Sequence, residues 1–449
     1  MTKQIDMLSG SLWTSVPRFA LPVAATSILE QLATFIGVLI IGRFSGDQSA
    51  IGMAALGSNM PLVSFIVNLS IGISLGANVV IAIALGRKDA TAVEKAVHTA
   101  IALSVFGLAF TVLGEIFAVP LLNALSVPEE TFASTLVYWR IYLLGVPAVL
   151  LYNFETAIFR SVGITTKPLQ VLVVSTMLNA ILGFVFVAAL KLDVAGIAAA
   201  TAISYCVSAA QLFFSLAKID ADVCVVPSKI RIDWDAAAQI FKVGFPAGVQ
   251  MGIFAVANIV IQGAINSLGT NVIAASSAAL ALEFVFWAFV SSFGQACTTF
   301  TGQNFGAGNI ARCKKTLRTC LVESELAVAL LVAIVFFFGR QIVGVFNGDA
   351  EVVQLGYERL CIIIPAYFFS MIYETSSDYM RGFGISVAPA VLTVIGVCGS
   401  RLLWVAFVFP AFATFETIMY VYPVSLGFTA VLISVLLLIT RPSKTCAKK

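Results

Sequence analysis

Glu283 is the only Asp, Glu, Lys or Arg between Lys242 and Arg312. It lies in SSAALALEFVFWAFVSSFGQA (276–296), where an unpaired carboxylate is costly to bury. A carboxyl in such a setting can exchange a proton for a cation. That chemistry suits ion coupling better than bond making. Glu30, Glu155 and Glu374 stand in similar apolar runs, and Asp378 follows Glu374 one helical turn on, on the same face. Arg401 is a cation embedded in the same way. Ionisable groups at membrane depth are functional candidates. Glu283, Glu374 and Asp378 are therefore expected to form a coupling site for H⁺ or Na⁺, with Arg401 setting its charge state. Na⁺ near these three acids is the one metal implied. Static ion pairs remain as alternatives, Glu374 with Arg401 and Glu155 with Arg160. Asn153, Asn179 and Asn258 suit interhelical hydrogen bonds as well as they suit ligands.

The elements that hold these residues follow from composition. Of 449 residues 60% are hydrophobic and 11% charged, with a mean hydropathy of +1.00. A soluble domain carries about 25% charged residues, so lipid must solvate most of this chain. Windows of the roughly 20 apolar residues that span a bilayer occur near 19–42, 59–85, 98–120, 138–159, 169–190 and 194–217. A second set occurs near 243–267, 272–304, 319–339, 360–380, 386–409 and 417–440. The runs are continuous rather than alternating, and backbone in hydrocarbon must satisfy its own hydrogen bonds. An all-α polytopic membrane protein with twelve transmembrane helices is expected. Glu283 falls roughly twelve residues into helix 8, about 18 Å along it, near the midplane.

Lys and Arg fix the expected orientation. With both termini cytoplasmic, 20 of the 26 basic residues fall on the inner side, from Lys3 to Lys448 and Lys449. The other six are Arg43, Arg140, Lys191, Arg340, Arg359 and Arg401. A multi-pass protein of the plasma (inner) membrane is expected, and the net charge of +3 reflects this asymmetry rather than nucleic-acid binding. The opening MTKQIDMLSGSLWTS has no small-residue cleavage site after an apolar core, so no cleaved signal peptide is expected. The eight cysteines, at 206, 224, 297, 313, 320, 361, 398 and 446, contain no C-x-x-C pair and read as small buried hydrophobes.

The chain repeats itself. RSVGITTKP from Arg160 matches RGFGISVAP from Arg381 at Arg160/Arg381, Gly163/Gly384, Ile164/Ile385 and Pro168/Pro389. GRKDATAVEKAVHTA from Gly86 faces GAGNIARCKKTLRTC from Gly306, sharing Lys95/Lys315 and Thr99/Thr319. Each half opens with an early proline, Pro22 and Pro246. The expected organisation is an N-lobe at 1–217, a cytoplasmic linker at 218–236 and a C-lobe at 237–449, the two six-helix lobes being pseudo-symmetric. Six helices return the chain to its starting side, so both lobes share one orientation and leave a cleft that rocking can open alternately. Transport follows as the leading expectation.

Several stretches carry a family resemblance: LPVAATSILEQL in helix 1, WRIYLLGVPAVLLYNF in helix 4, VAGIAAATAIS in helix 6, FPAGVQMGIFAVANIVIQGAINSLG in helix 7, SSFGQACTTFTGQNFGAG ending helix 8 and GVCGSRLLWV in helix 11. Over about 15–440 the chain resembles the multidrug and toxic compound extrusion family. The resemblance implies a secondary active multidrug efflux transporter that exports small amphiphilic or cationic compounds in exchange for Na⁺ or H⁺. It implies no cofactor, and function as a monomer is expected. The chain departs from the family in the N-lobe. Gly37 stands where a helix-1 Asp is usual, and Gly183 where another follows the helix-5 Asn, here Asn179. Asn179 and Thr201 match remaining polar members of that cation site, and two neutral groups hold a cation poorly, so N-lobe coupling is not expected.

A flippase for a lipid-linked saccharide is the competing function; more basic residues in the central cavity, and often extra helices, would then be expected. An enzyme is not expected. GISLG (72–76) matches G-x-S-x-G but falls within helix 2, where small residues serve close helix packing. The single histidine, His98, reads as a solvated or headgroup-facing residue among inner cations. Phe284, Phe286, Trp287 and Tyr367 are candidates for an apolar substrate surface.

Overall fold

The computed structural model describes residues 4–346 and 348–445. Lys3, Cys446, Lys448 and Lys449, used in the readings above, lie outside the described residues. Twelve helices are long and apolar enough to cross a membrane. They are α1 (Leu12–Phe44), α2 (Ser49–Arg87), α3 (Ala90–Ile116), α4 (Glu129–Ser161), α5 (Thr166–Ala189) and α6 (Asp193–Ala217) in the first half. The second half has α7 (Trp234–Asn266), α8 (Thr270–Gly306), α9 (Ile310–Gly344), α10 (Ala350–Gly382), α11 (Val387–Val408) and α12 (Phe415–Lys444). No strand occurs among the described residues. The all-α, twelve-helix expectation holds. Several helices run longer than their apolar windows, because charged residues continue the helix beyond the hydrocarbon. One consequence corrects the sequence reading: Arg359, counted in an outer loop, lies inside α10 and is 2% exposed.

The repeat is visible in local geometry. Gly163 and Gly384 both take positive φ, 83° and 80°, a conformation that glycine adopts without a Cβ penalty. Each ends its helix with the same bond one residue on, Ile164 N to Phe159 O at 2.9 Å and Ile385 N to Met380 O at 3.0 Å. The starts of α3 and α9 are also equivalent. Asp89 caps Ala92 N and Asn309 caps Arg312 N, both at 3.0 Å. The ends of α5 and α11 are π-helical over Val185–Ala189 and Trp404–Val408.

Contacts divide the chain into two compact units. Unit 1 holds Ala25–Leu85 and Asp89–Gly248; unit 2 holds Ile5–Ala24, Gly86–Lys88 and the chain from Val249 onward. The transitions fall within α1 and α7, close to Pro22 and Pro246, each of which removes a helical hydrogen bond. In unit 1, α4 packs along α6, around Trp139, Val146, Val194 and Ala198. Unit 2 centres on α10, which lies against α8, α9 and α12. Polar side chains such as Asn59, Thr135, Asn304 and Ser377 are buried, while Phe336 and Phe337 are exposed. That inversion of a soluble protein is what a hydrocarbon solvent demands.

The linker after α6 is bound within unit 1. Val223 and Val225 join its core. Val226 N donates to His98 Nε2 at 3.0 Å, and His98 Nδ1 lies 2.7 Å from Glu94 O. A carbonyl only accepts, so Nδ1 carries the proton and Nε2 the lone pair. Asp233 N donates to Thr99 Oγ1 at 3.0 Å, and Lys95 and Lys229 pair with Asp233 and Glu94 at 2.9 and 3.0 Å. His98 is thus a buried anchor, correcting the solvated reading, because the linker supplies a backbone N–H that its ring must accept. GISLG packs as expected: Gly72 and Gly76 lie against the backbone of α7 near Gly248 and Gly244. Ser74 donates to Ile71 O at 2.8 Å within its own helix.

Candidate ion-coupling and substrate site

The acids expected to cluster in unit 2 have separate partners. Glu283, 6% exposed on α8, receives Nε and Nη2 of Arg359 from α10 at 2.6 and 3.1 Å. This two-pronged geometry is the strongest form of such a contact. Tyr367 OH also donates to the backbone O of Glu283 at 3.2 Å. The Arg359 guanidinium lies 5.7 Å from the ring of Tyr422 on α12, and Arg401 stands over the same ring at 4.6 Å. Arg401 donates to Asn258 Oδ1 at 2.9 Å and lies 3.4 Å from Ser425 Oγ. A π-helical segment precedes Arg401 and another follows it (Val394–Gly399 and Trp404–Val408), a distortion common where helices serve function.

Asp378 is bound by Arg381, one turn on, at 2.6 Å, and Arg381 also donates to Gln250 Oε1 at 2.7 Å. Gly294 on α8 gives the Asp378 carboxylate its room, since a Cβ there would overlap Oδ2. Glu374 differs from both neighbours. Its Oε1 receives Trp287 Nε1 at 3.2 Å and Tyr373 OH at 3.3 Å, both neutral donors. Glu374 is half-buried, and Trp287 is 42% exposed. The geometry therefore brings Glu374 and Asp378 together on one face of α10, gives Glu283 an arginine of its own, and joins Arg401 to Asn258 rather than to Glu374.

In unit 1, Asn179 Nδ2 donates to Thr201 Oγ1 at 3.2 Å. Beside this pair, Gly37 and Gly183 face the same apolar side chain: a Cβ on either would meet Ile197 at 3.2 Å. Hydrocarbon fills the place between them. Glu155 on α4 is fully buried, and neither carboxyl oxygen has a hydrogen-bond partner, so the alternative pairing with Arg160 does not form. Glu30 on α1 is half-buried. Asn153 bonds back to Val149 O at 2.8 Å on its own helix.

Sequence reading missed several participants. Arg359 and Arg381 were placed at helix ends because the apolar windows stop beside them. Gln250 carries no charge to draw notice. Glu323 and Glu325 on α9 lie inside the apolar window at 319–339 and were not singled out. Among the described residues no group of His, Cys, Asp and Glu is arranged to hold a metal ion.

Repeated six-helix halves with charge networks buried in a membrane-spanning interior define a polytopic membrane transporter. The MatE family model matches residues 22–185 and 246–405, and the chain belongs to that family. It is 26% identical over 415 residues to the probable multidrug resistance protein YoeA of Bacillus subtilis (strain 168), covering 90% of this chain and 89% of that one. A FAD transporter of Shewanella oneidensis is 24% identical over 354 residues, covering 74% and 76%. The fold matches the crystal structure of MATE in complex with MaL6 with a TM-score of 0.89 at 19% identity, covering 99% and 100% of the two chains.

Proposed function

We propose that this chain is a secondary active exporter of small amphiphilic or cationic compounds, driven by inward flow of H⁺ or Na⁺, with Glu374 as its coupling carboxylate. The two six-helix lobes act as the rocking bodies, both termini face the cytoplasm, and the monomer in the inner membrane is the working unit. The observation that carries the reading is the difference among the three acids of unit 2. Glu283 and Asp378 each have an arginine at 2.6 Å, whereas Glu374 has only neutral donors. A carboxylate with neutral donors must take its counter-charge from a proton, a metal cation or a cationic substrate. Competition among those three for one group is what antiport requires. Asp378 adds negative charge on the same face of α10, favouring a cation there.

Glu283 has a different role in this reading. Its pairing with Arg359 keeps both charges neutralised and ties α8 to α10, leaving the exchange to Glu374. The N-lobe takes no part in coupling, because Gly37, Gly183 and Ile197 offer no charge. Purified protein in liposomes tests the reading: dye movement under an imposed pH or Na⁺ gradient is expected, and none without a gradient.

A further inference from the structure

Arg401 is a buried cation for which unit 2 supplies no anion. It lies about 21 Å along α11 from Val387, at membrane depth, and is 7% exposed. None of the ion pairs among the described residues includes it. Its acceptors are neutral, Asn258 Oδ1 at 2.9 Å from Nη1 and Ser425 Oγ at 3.4 Å from Nε. Both oxygens of Glu283 are taken by Arg359, which shares the Tyr422 ring with Arg401. Glu283, Arg359 and Arg401 therefore sum to a charge of +1. Arg401 Nη2 makes no hydrogen bond, and unlike the orphan Nη1 of Arg359 it is not sealed from its surroundings. Asn258 beside it on α7 is exposed, and its Nδ2 has no partner. The guanidinium edge and this amide thus open to the same side.

A buried carboxyl can keep its proton, but a guanidinium cannot shed one. Left without an anion it is costly at this depth, and the face of Tyr422 offsets only part of the cost. The repeat shows that the fold itself does not need the charge. Ala180 stands 221 residues before Arg401, the spacing that relates Arg160 to Arg381. Chemistry selects the occupant. A cation is repelled, and a neutral group leaves the charge as it was. A bare inorganic anion must give up its hydration here, whereas an acid on an apolar tail enters with the tail already in hydrocarbon. We propose that Arg401 and Asn258 seat the oxyanion head, carboxylate or phosphate, of an amphiphile, with Nη2 and Asn258 Nδ2 as its donors. This deepens the transport reading, on which it rests only for turnover: the exporter accepts acid-bearing amphiphiles as well as cationic ones.

The test compares pyrenebutyrate with pyrenebutanol, which share one fluorophore and differ in the acid. Binding to the full chain in phosphatidylcholine nanodiscs is read by energy transfer from tryptophan, with empty nanodiscs as background. No gradient is imposed, so binding and transport fail separately. Pyrenebutyrate is expected to bind at least about tenfold more tightly than the alcohol. Octanoate or octyl phosphate should displace it, and the stronger of the two shows which head the seat prefers. Octylamine and chloride at equal concentration should not displace it. Arg401→Gln should bring the two probes to equal affinity while the protein still elutes as a folded peak, and Arg401→Lys should keep part of the preference. Equal affinities in the parent chain, a preference that survives Arg401→Gln, or displacement by chloride overturns the proposal.

Discussion

Arg359 donates to both carboxylate oxygens of Glu283, at 2.6 and 3.1 Å, with the two side chains 2% and 7% exposed. Removing one partner of such a pair leaves a buried charge alone, at a cost of about 3–5 kcal/mol, whereas replacing both by neutral groups is close to neutral. Arg359→Met is therefore expected to lower the melting temperature sharply. Adding Glu283→Gln to it should restore most of the loss, as thermal unfolding in detergent would read.

Gly294 leaves the space that the Asp378 carboxylate occupies. Gly294→Ala should push that carboxylate away from Arg381, which would keep Gln250 as its partner. Overpacking of this kind costs about 1–3 kcal/mol, so the protein should still fold. Gradient-driven efflux should drop while the melting temperature shifts only modestly, and unchanged efflux would remove Asp378 from the site.

The linker anchor predicts a reactivity change. Cys224 is half-buried in the linker, two residues before Val226. His98→Ala strands the Val226 N–H, and an unsatisfied polar group of this sort costs about 1–3 kcal/mol. In a chain retaining only Cys224, maleimide labelling should quicken roughly tenfold. His98→Gln, which can still offer an acceptor, should change the rate less.

The neighbouring ion pair gives a pH prediction. Lys95 and the backbone N–H of Ala236 hold the Asp233 carboxyl below the usual carboxylate range. An acid depressed in the folded state contributes above its unfolded value, and the contribution is lost only as pH falls through the folded one. The Lys95–Asp233 link should therefore be constant from about pH 5 to 8. Over that range the ratio of Cys224 labelling rates between Asp233→Asn and the parent chain should stay flat.

Asn179 and Thr201 make one hydrogen bond beside Ile197. Interhelical bonds of this kind are worth about 0.6 kcal/mol. Asn179→Ala is expected to leave both efflux and its ion dependence intact. A lost Na⁺ or pH response in that variant would restore an N-lobe role.

Much of this was legible because lipid imposes simple rules. Twelve apolar runs became twelve helices, and Gly163 and Gly384, matched as letters, share one backbone conformation. Glu283 was singled out by its isolation, but its partner was not, because Arg359 lies outside the apolar window of helix 10 and resembles a loop cation. Burial of both was decided by how α10 extends and leans on α8, which one-dimensional hydropathy does not encode. His98 failed for the same reason: its ring is engaged by a backbone N–H from a distant segment.

The most direct measurement is dye efflux from everted vesicles, with a pH or Na⁺ gradient imposed separately. It compares the parent chain, Glu374→Gln, and the Glu283→Gln/Arg359→Met pair. Glu374→Gln should abolish gradient-driven efflux while leaving dye binding measurable, and the paired variant should keep a substantial rate. Full gradient response in Glu374→Gln, alongside loss in the paired variant, would move coupling from Glu374 to Glu283 and contradict the account.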